Sequence, residues 1–149
     1  MMTGLAISNV APNPVSVSIT SRRLSGASGP SGTMTIPARG QVSLFLNQIP
    51  GFTNYSTAGQ GIVRIYDETG SIAVTGIRAR INEQGDFLVA ATPPVDQSDD
   101  SRQRLFPQIA DGGGYSTQIV LINANPTQNA TGTVRLFTQS GAPMSLTLR

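Results

Sequence analysis

Phe106-Pro107-Gln108-Ile109-Ala110-Asp111-Gly112-Gly113-Gly114-Tyr115-Ser116-Thr117-Gln118-Ile119-Val120-Leu121-Ile122-Asn123 decides how the chain is read. A glycine-rich turn opens into an apolar run that ends at Asn, the pattern of a strand entered through a tight turn. The same run begins a repeat. Leu5-Ala6-Ile7-Ser8-Asn9-Val10-Ala11-Pro12 and Ile119-Val120-Leu121-Ile122-Asn123-Ala124-Asn125-Pro126 both place an apolar strand ahead of Asn, two residues and Pro. A β pattern follows each, at residues 15–20 and 131–137. A Ser-Gly turn and a Met-containing strand come next, Thr33-Met34-Thr35-Ile36 and Met144-Ser145-Leu146-Thr147. Such periodic similarity marks a tandem array. The first copy runs on through further strand patterns, whereas the second reaches only Arg149.

Outward from that stretch, helix signals are almost absent, because Gly or Pro interrupts nearly every window. Val15-Ser16-Val17-Ser18-Ile19-Thr20 alternates cleanly, with the aliphatic side chains set for a core and the hydroxyls for water. Strands are expected at 5–8, 15–20, 33–36, 41–46, 62–66, 72–81 and 86–91, then at 118–123, 131–137 and 143–148. The run from Ile72 to Ile81 changes phase: Ile72 and Val74 fall on one face, Ile77, Ala79 and Ile81 on the other. One extra residue near Gly76 would reunite them, so a β-bulge is expected there, with Arg78 and Arg80 turned to solvent. The domain reading is a β-sandwich repeat unit over 1–95, a polar linker over 96–104, and a partial second repeat over 105–149. A three-strand fragment buries its apolar face poorly. It therefore packs on the first repeat or completes a neighbouring subunit by strand addition, a head-to-tail contact that grows a filament.

Composition narrows the function. Of 149 residues, 38% are hydrophobic and 12% charged, which with 16 Gly and 10 Pro excludes a coiled coil. The net charge is only +2 and the Arg residues are scattered, so no nucleic-acid footprint is present. Cys and His are both absent, which removes thiolate chemistry, disulfides and the commonest general base and metal ligand. No run approaches the ~18 apolar residues of a membrane span. Met1-Met2-Thr3-Gly4 lacks the charged start and apolar stretch of a signal peptide. A secreted protein would thus have lost its signal, or the chain is part of something longer.

Several segments together resemble the repeat modules of large secreted bacterial surface proteins. They are Ile36-Pro37-Ala38-Arg39-Gly40-Gln41, Gly76-Ile77-Arg78-Ala79-Arg80, Asn82-Glu83-Gln84-Gly85-Asp86-Phe87-Leu88 and Thr92-Pro93-Pro94, with Phe106-Pro107 and Asp111-Gly112-Gly113-Gly114-Tyr115-Ser116-Thr117-Gln118. The resemblance implies extracellular or cell-surface, Ig-like β-sandwich units with structural or adhesive roles. It supplies no catalytic residues. The chain is short beside the long multidomain proteins that carry such modules.

Candidate sites are few. Asp111-Gly112-Gly113-Gly114 could form an anion nest, but no Lys-Ser/Thr follows and a strand-entry turn is the simpler reading. Asp96, Asp99 and Asp100, with Asp111, could gather around Ca²⁺, though their spacing fits no calcium loop and a solvated acidic linker accounts for them. Glu83 and Asp86 flank a tight turn, which argues against a glycosidase pair. Phe52, Tyr55 and Tyr115 could stack on a sugar, and the candidate ligand loop is Phe52, Asn54 and Tyr55. Asn54-Tyr55-Ser56 and Asn129-Ala130-Thr131 match the glycan-acceptor pattern. Self-association is expected along apolar β edges at Met144, Leu146, Leu148, Leu5 and Ile7. The resulting expectation is an all-β, Ig-like sandwich of about ten strands. It would be no enzyme, would need no cofactor, and would meet copies of itself. The competing reading is a carbohydrate-binding or adhesin module that meets glycans.

Overall fold

The computed structural model describes residues 2–53, 61–96, 104–107, 109–110, 112–115, 117–123 and 127–144. Among them the chain is all-β and antiparallel, with a single 3-10 turn and no α-helix. It divides into two compact units, Met1–Asp96 and Gln97–Arg149.

The first unit holds β1 (Met2–Asn9), β2 (Val15–Arg23), β3 (Ser28–Ile36), β4 (Gln41–Phe45), β5 (Gly61–Tyr66), β6 (Ile72–Ile81) and β7 (Phe87–Thr92). They form a four-stranded sheet of order β4-β1-β6-β7 and a three-stranded sheet of order β3-β2-β5. Both sheets feed one core. Leu5 and Ile7 of β1 meet Val15, Val17 and Ile19 of β2 and Ile36 of β3, an arrangement compatible with a β-sandwich. The alternation of β2 is realised: Val15, Val17, Ile19 and Ser21 are buried, while Ser16 and Thr20 are exposed. Each fully buried aliphatic side chain contributes roughly 1.5–3 kcal/mol of transfer free energy.

The strand order departs from that of an immunoglobulin constant domain, in which the third, sixth and seventh strands share a sheet. Here β3 stays beside β2, and β1 and β4 join β6 and β7. The cause is local. Arg23 and Ala27 close a tight turn, with Arg23 N–H on the Ala27 carbonyl at 2.9 Å and Gly26 N–H on the Arg23 carbonyl at 2.9 Å, so β3 folds straight back onto β2. The first strand is then left to pair β4 and β6, which lie far along the sequence.

Asn9 locks this connection. Its side chain is buried, and Nδ2 donates to the carbonyls of Asn13 (2.8 Å), Pro37 (3.0 Å) and Ile36 (3.2 Å). Its Oδ1 accepts the Ala11 N–H at 2.9 Å. One amide therefore ties the end of β1, the following turn and the end of β3, and its own buried polar atoms are satisfied by backbone partners. After β4, the 3-10 turn Leu46–Gln48 and the residues behind it fold inward: Leu46, Ile49 and Phe52 are buried in the core. Gly32 and Gly51 let this segment lie against β3. A Cβ on Gly32 would overlap the Pro50 carbonyl, and Gly51 adopts φ +86° with its own Cβ position against the Ser31 carbonyl. Only glycine fits such a close backbone approach.

Two expectations are corrected here. No bulge interrupts β6, whose register with β1 runs unbroken from Asn9↔Ile72 to Met2↔Ala79. The phase change is real, so β6 presents Ile72 and Val74 to the core and Ile77, Ala79 and Ile81 to the opposite face. Arg78 and Arg80 lie on the core side of the strand yet are exposed. The second unit also differs from the sequence reading. Residues 117–123 lie in no strand, and the expected strand at 131–137 is confined to β8 (Leu136–Phe137). β8 pairs β9 (Pro143–Met144) in the register Leu136↔Met144 and Phe137↔Pro143, and residues 145–149 lie outside the described set. Nine strands are thus described, two of them only two residues long, where about ten were expected.

Candidate functional site

The residues that can act are those the fold leaves open. In the four-stranded sheet, β4 and β7 are the edges; in the three-stranded sheet, β3 and β5 are. Unpaired edge N–H and C=O groups template another strand unless charge, Pro, shortness or a bulge blunts them. Pro30, Gly29 and Gly32 interrupt β3. Arg64 charges β5, its guanidinium 5.6 Å from the centre of the Tyr66 ring. β4 is short and runs at once into the 3-10 turn.

β7 has none of these devices. Its sequence, Phe87-Leu88-Val89-Ala90-Ala91-Thr92, carries no charge and no Pro, and every residue is exposed. Among the described residues only β6 pairs with it. The cross-strand pairs Ile77↔Ala91, Ala79↔Val89 and Ile81↔Phe87 share the face turned away from the core. That face is apolar and exposed along its outer part, where Ile81 is 65% exposed, Val89 59% and Phe87 55%, while Ala79 on the same face is buried at 2%. The phase switch in β6, misread from sequence as a bulge, is what places this stripe outside.

The turn that enters β7 is built by Asn82 and Asp86. Asn82 N–H donates to the Asp86 carbonyl, Asn82 Nδ2 to Asp86 Oδ2 at 2.9 Å, and Asn82 Oδ1 accepts the Asp86 N–H at 2.7 Å. Asp86 is therefore engaged in fixing a hairpin, as its position beside Glu83 suggested. Asp67 does the same for the β5–β6 turn, accepting from Thr69 Oγ1 at 2.7 Å and Ser71 N–H at 2.9 Å. Partial burial alone would raise its pKa, but the hydrogen bonds from Ser71, Thr69 and its own amide outweigh that and hold the carboxyl below its ordinary value.

The remaining expected sites fare differently. Leu5 and Ile7 are not edge residues: β1 is paired on both sides, by β4 and β6, and both side chains are buried in the core. Phe52 is not displayed as a ligand residue, since its side chain is fully buried in the core. The error came from reading Pro50 and Gly51 as a wholly superficial loop, when they turn an apolar side chain inward. Asn54, Tyr55, Leu146 and Leu148 lie outside the described residues, as do Asp99, Asp100 and Asp111. Met144 is 38% exposed in β9.

Gly112 and Tyr115 exchange backbone hydrogen bonds at 3.0 Å around Gly113 and Gly114, whose φ values are +60° and +88°. This is the two-residue turn that only glycine-rich sequences make readily, and it leaves Tyr115 73% exposed. Thr117 Oγ1 closes the stem on Ala110, accepting its N–H at 3.0 Å and donating to its carbonyl at 2.9 Å. On the outer face of the four-stranded sheet, Ala6, Ser8, Gln41, Ser43, Ala73 and Thr75 line a shallow open hollow with no ionisable side chain. No cluster of three metal-ligating side chains occurs among the described residues, and no helix there is long and apolar enough to cross a membrane. Comparison with known protein families, with curated proteins and with solved structures finds no match.

Proposed function

We propose that this chain is a non-catalytic structural subunit of an extracellular or cell-surface assembly, associating with copies of itself through strand edges. The observation that carries the reading is β7: an uncharged apolar edge strand whose residues are all exposed, paired on one side only among the described residues. In a chain without a single Lys, the commonest guard of an exposed edge is missing. The likeness to surface-protein repeat modules points the same way, toward sandwich units whose work is to connect.

Assembly would follow from β-augmentation. Backbone hydrogen bonds along β7 supply affinity, and the stripe of Ile81, Phe87 and Val89 supplies apolar cover. Light scattering and negative-stain microscopy on the purified chain test this. Concentration-dependent association that Val89→Lys abolishes is the expected result. A monodisperse monomer of 15.6 kDa at all concentrations would overturn it.

A further inference from the structure

Residues 119–122 carry the sequence pattern of β1, with Ile119 and Leu121 standing where Leu5 and Ile7 stand and Asn123 where Asn9 stands. The sheet order explains why the same pattern gives a strand in one place and none in the other. β1 is held from both sides, by β4 from Gln41 onward and by β6 from Ile72 onward. A strand of this type has no local hairpin partner; it forms only when strands distant in sequence come to it. Among the described residues no strand pairs with 119–122, and Val120, Leu121 and Ile122 are 46%, 75% and 54% exposed. The β2–β3 type of hairpin, which is local, does form in the second unit as β8–β9.

The described residues thus include a strand edge without a guard and a strand-forming segment that lies in no sheet. Their electrostatics match. β7 and the residues after it carry no charge as far as Asp96, and residues 112–134 carry none at all. Pairing them would bury no unpaired charge, the chief penalty in closing an edge. We infer that residues 119–122 of one copy add to the β7 edge of a second copy, extending its β4-β1-β6-β7 sheet by one strand. The inference rests on the proposed self-association and names the segment that performs it. Donor and acceptor occupy different places on the subunit, so the contact is head-to-tail and each subunit can give one strand and take one. A stable isolated interface buries roughly 1,200–2,000 Å² in total, more than one added strand covers. The contact is therefore weak singly and gains strength by repetition along a chain of subunits.

The absence of Cys makes the test clean. Single-cysteine variants Val89→Cys, Val120→Cys and Leu121→Cys are made in the full chain, mixed in pairs and oxidised. Residues 120 and 121 face opposite sides of a strand, so one of them shares the face of Val89. Paired strands bring Cα atoms to about 4.5–5.5 Å, inside disulfide range. The expected result is a Val89–120 or Val89–121 cross-linked heterodimer well above either homodimer. Dominant Val89–Val89 cross-linking, or association by light scattering with no heterodimer, would overturn the inference and leave the edge reading standing. A cross-linked monomer as the main product of the double variant Val89→Cys/Leu121→Cys would also overturn it, by placing the pairing within one chain. Absence of any association would overturn both.

Discussion

The two units use one sequence pattern to opposite effect. In the first, Leu5 and Ile7 sit in the middle of a sheet and in the core, and Asn9 binds carbonyls from its own turn and from the end of β3. In the second, Ile119 and Leu121 lie outside any strand, and Asn123, which is exposed, donates from Nδ2 to the Gln128 carbonyl at 2.7 Å. The short-range clasp is present in both. What differs is the supply of partner strands. No described residue of the second unit is buried. Apolar alternation is therefore a statement about what a segment can do when paired, and topology decides whether the pair arrives.

This contrast is sharpest for core side chains. Phe52→Ala, in the first unit, should lower stability by about 3–5 kcal/mol, the usual cost of emptying a buried aromatic site. Phe137→Ala, at a side chain 57% exposed, should stay within about 0.5–1 kcal/mol. Urea midpoints of the two variants check both, and equal losses would break the distinction between a closed and an open unit. Next in size is the Asn pair. Asn9→Ala removes a buried amide and its hydrogen bonds to three carbonyls and should cost roughly 1–3 kcal/mol. Asn123→Ala, at an exposed position, should cost well under about 1 kcal/mol, read by the same titration.

A third prediction separates stability from association. Val89→Lys lies on an exposed edge and should move the urea midpoint by no more than about 0.5 kcal/mol equivalent, while removing concentration-dependent scattering. A large loss of stability would mean that β7 is already covered. The smallest effect is that of pH. The folded Asp67 carboxyl is held below its ordinary value, so its contribution is present above the unfolded-state pKa and is lost as pH falls through the folded one. Asp67→Asn should flatten the acid limb of the stability profile, measured as urea midpoints from neutral pH down through the carboxylate range. An unchanged limb would show that the Asp67 charge contributes nothing to the acid dependence of folding.

Much of the first unit was legible because its patterns are local. Val15, Val17 and Ile19 alternate as a half-buried strand must, and they are buried. The turns at Asn82 and Gly113-Gly114 announce themselves by residue type. What the sequence could not disclose was set at long range. A bulge and an unbroken strand that changes its apolar face give the same string of residues around Gly76. Only the register with β1 separates them, and that register places Ile77, Ala79 and Ile81 on the face away from the core. Phe52 was misassigned for a similar reason, since nothing in Pro50-Gly51-Phe52 says that β3 offers Gly32 for the backbone to settle on. β7 was recognised as a strand, but its place at a sheet edge depends on strand order, which is not written in any one segment. Sequence alone therefore points to Leu5, Ile7 and the 143–148 strand as edges, whereas strand order leaves β7 at the edge.

The most direct test of the β7 edge as an association surface is amide hydrogen exchange across residues 87–92, followed from dilute to concentrated protein. The account predicts that amides of β7 pointing away from β6 exchange freely in dilute solution and become protected as concentration rises, while those of β1 and β2 stay protected throughout. Protection of β7 that is unchanged by concentration would contradict it.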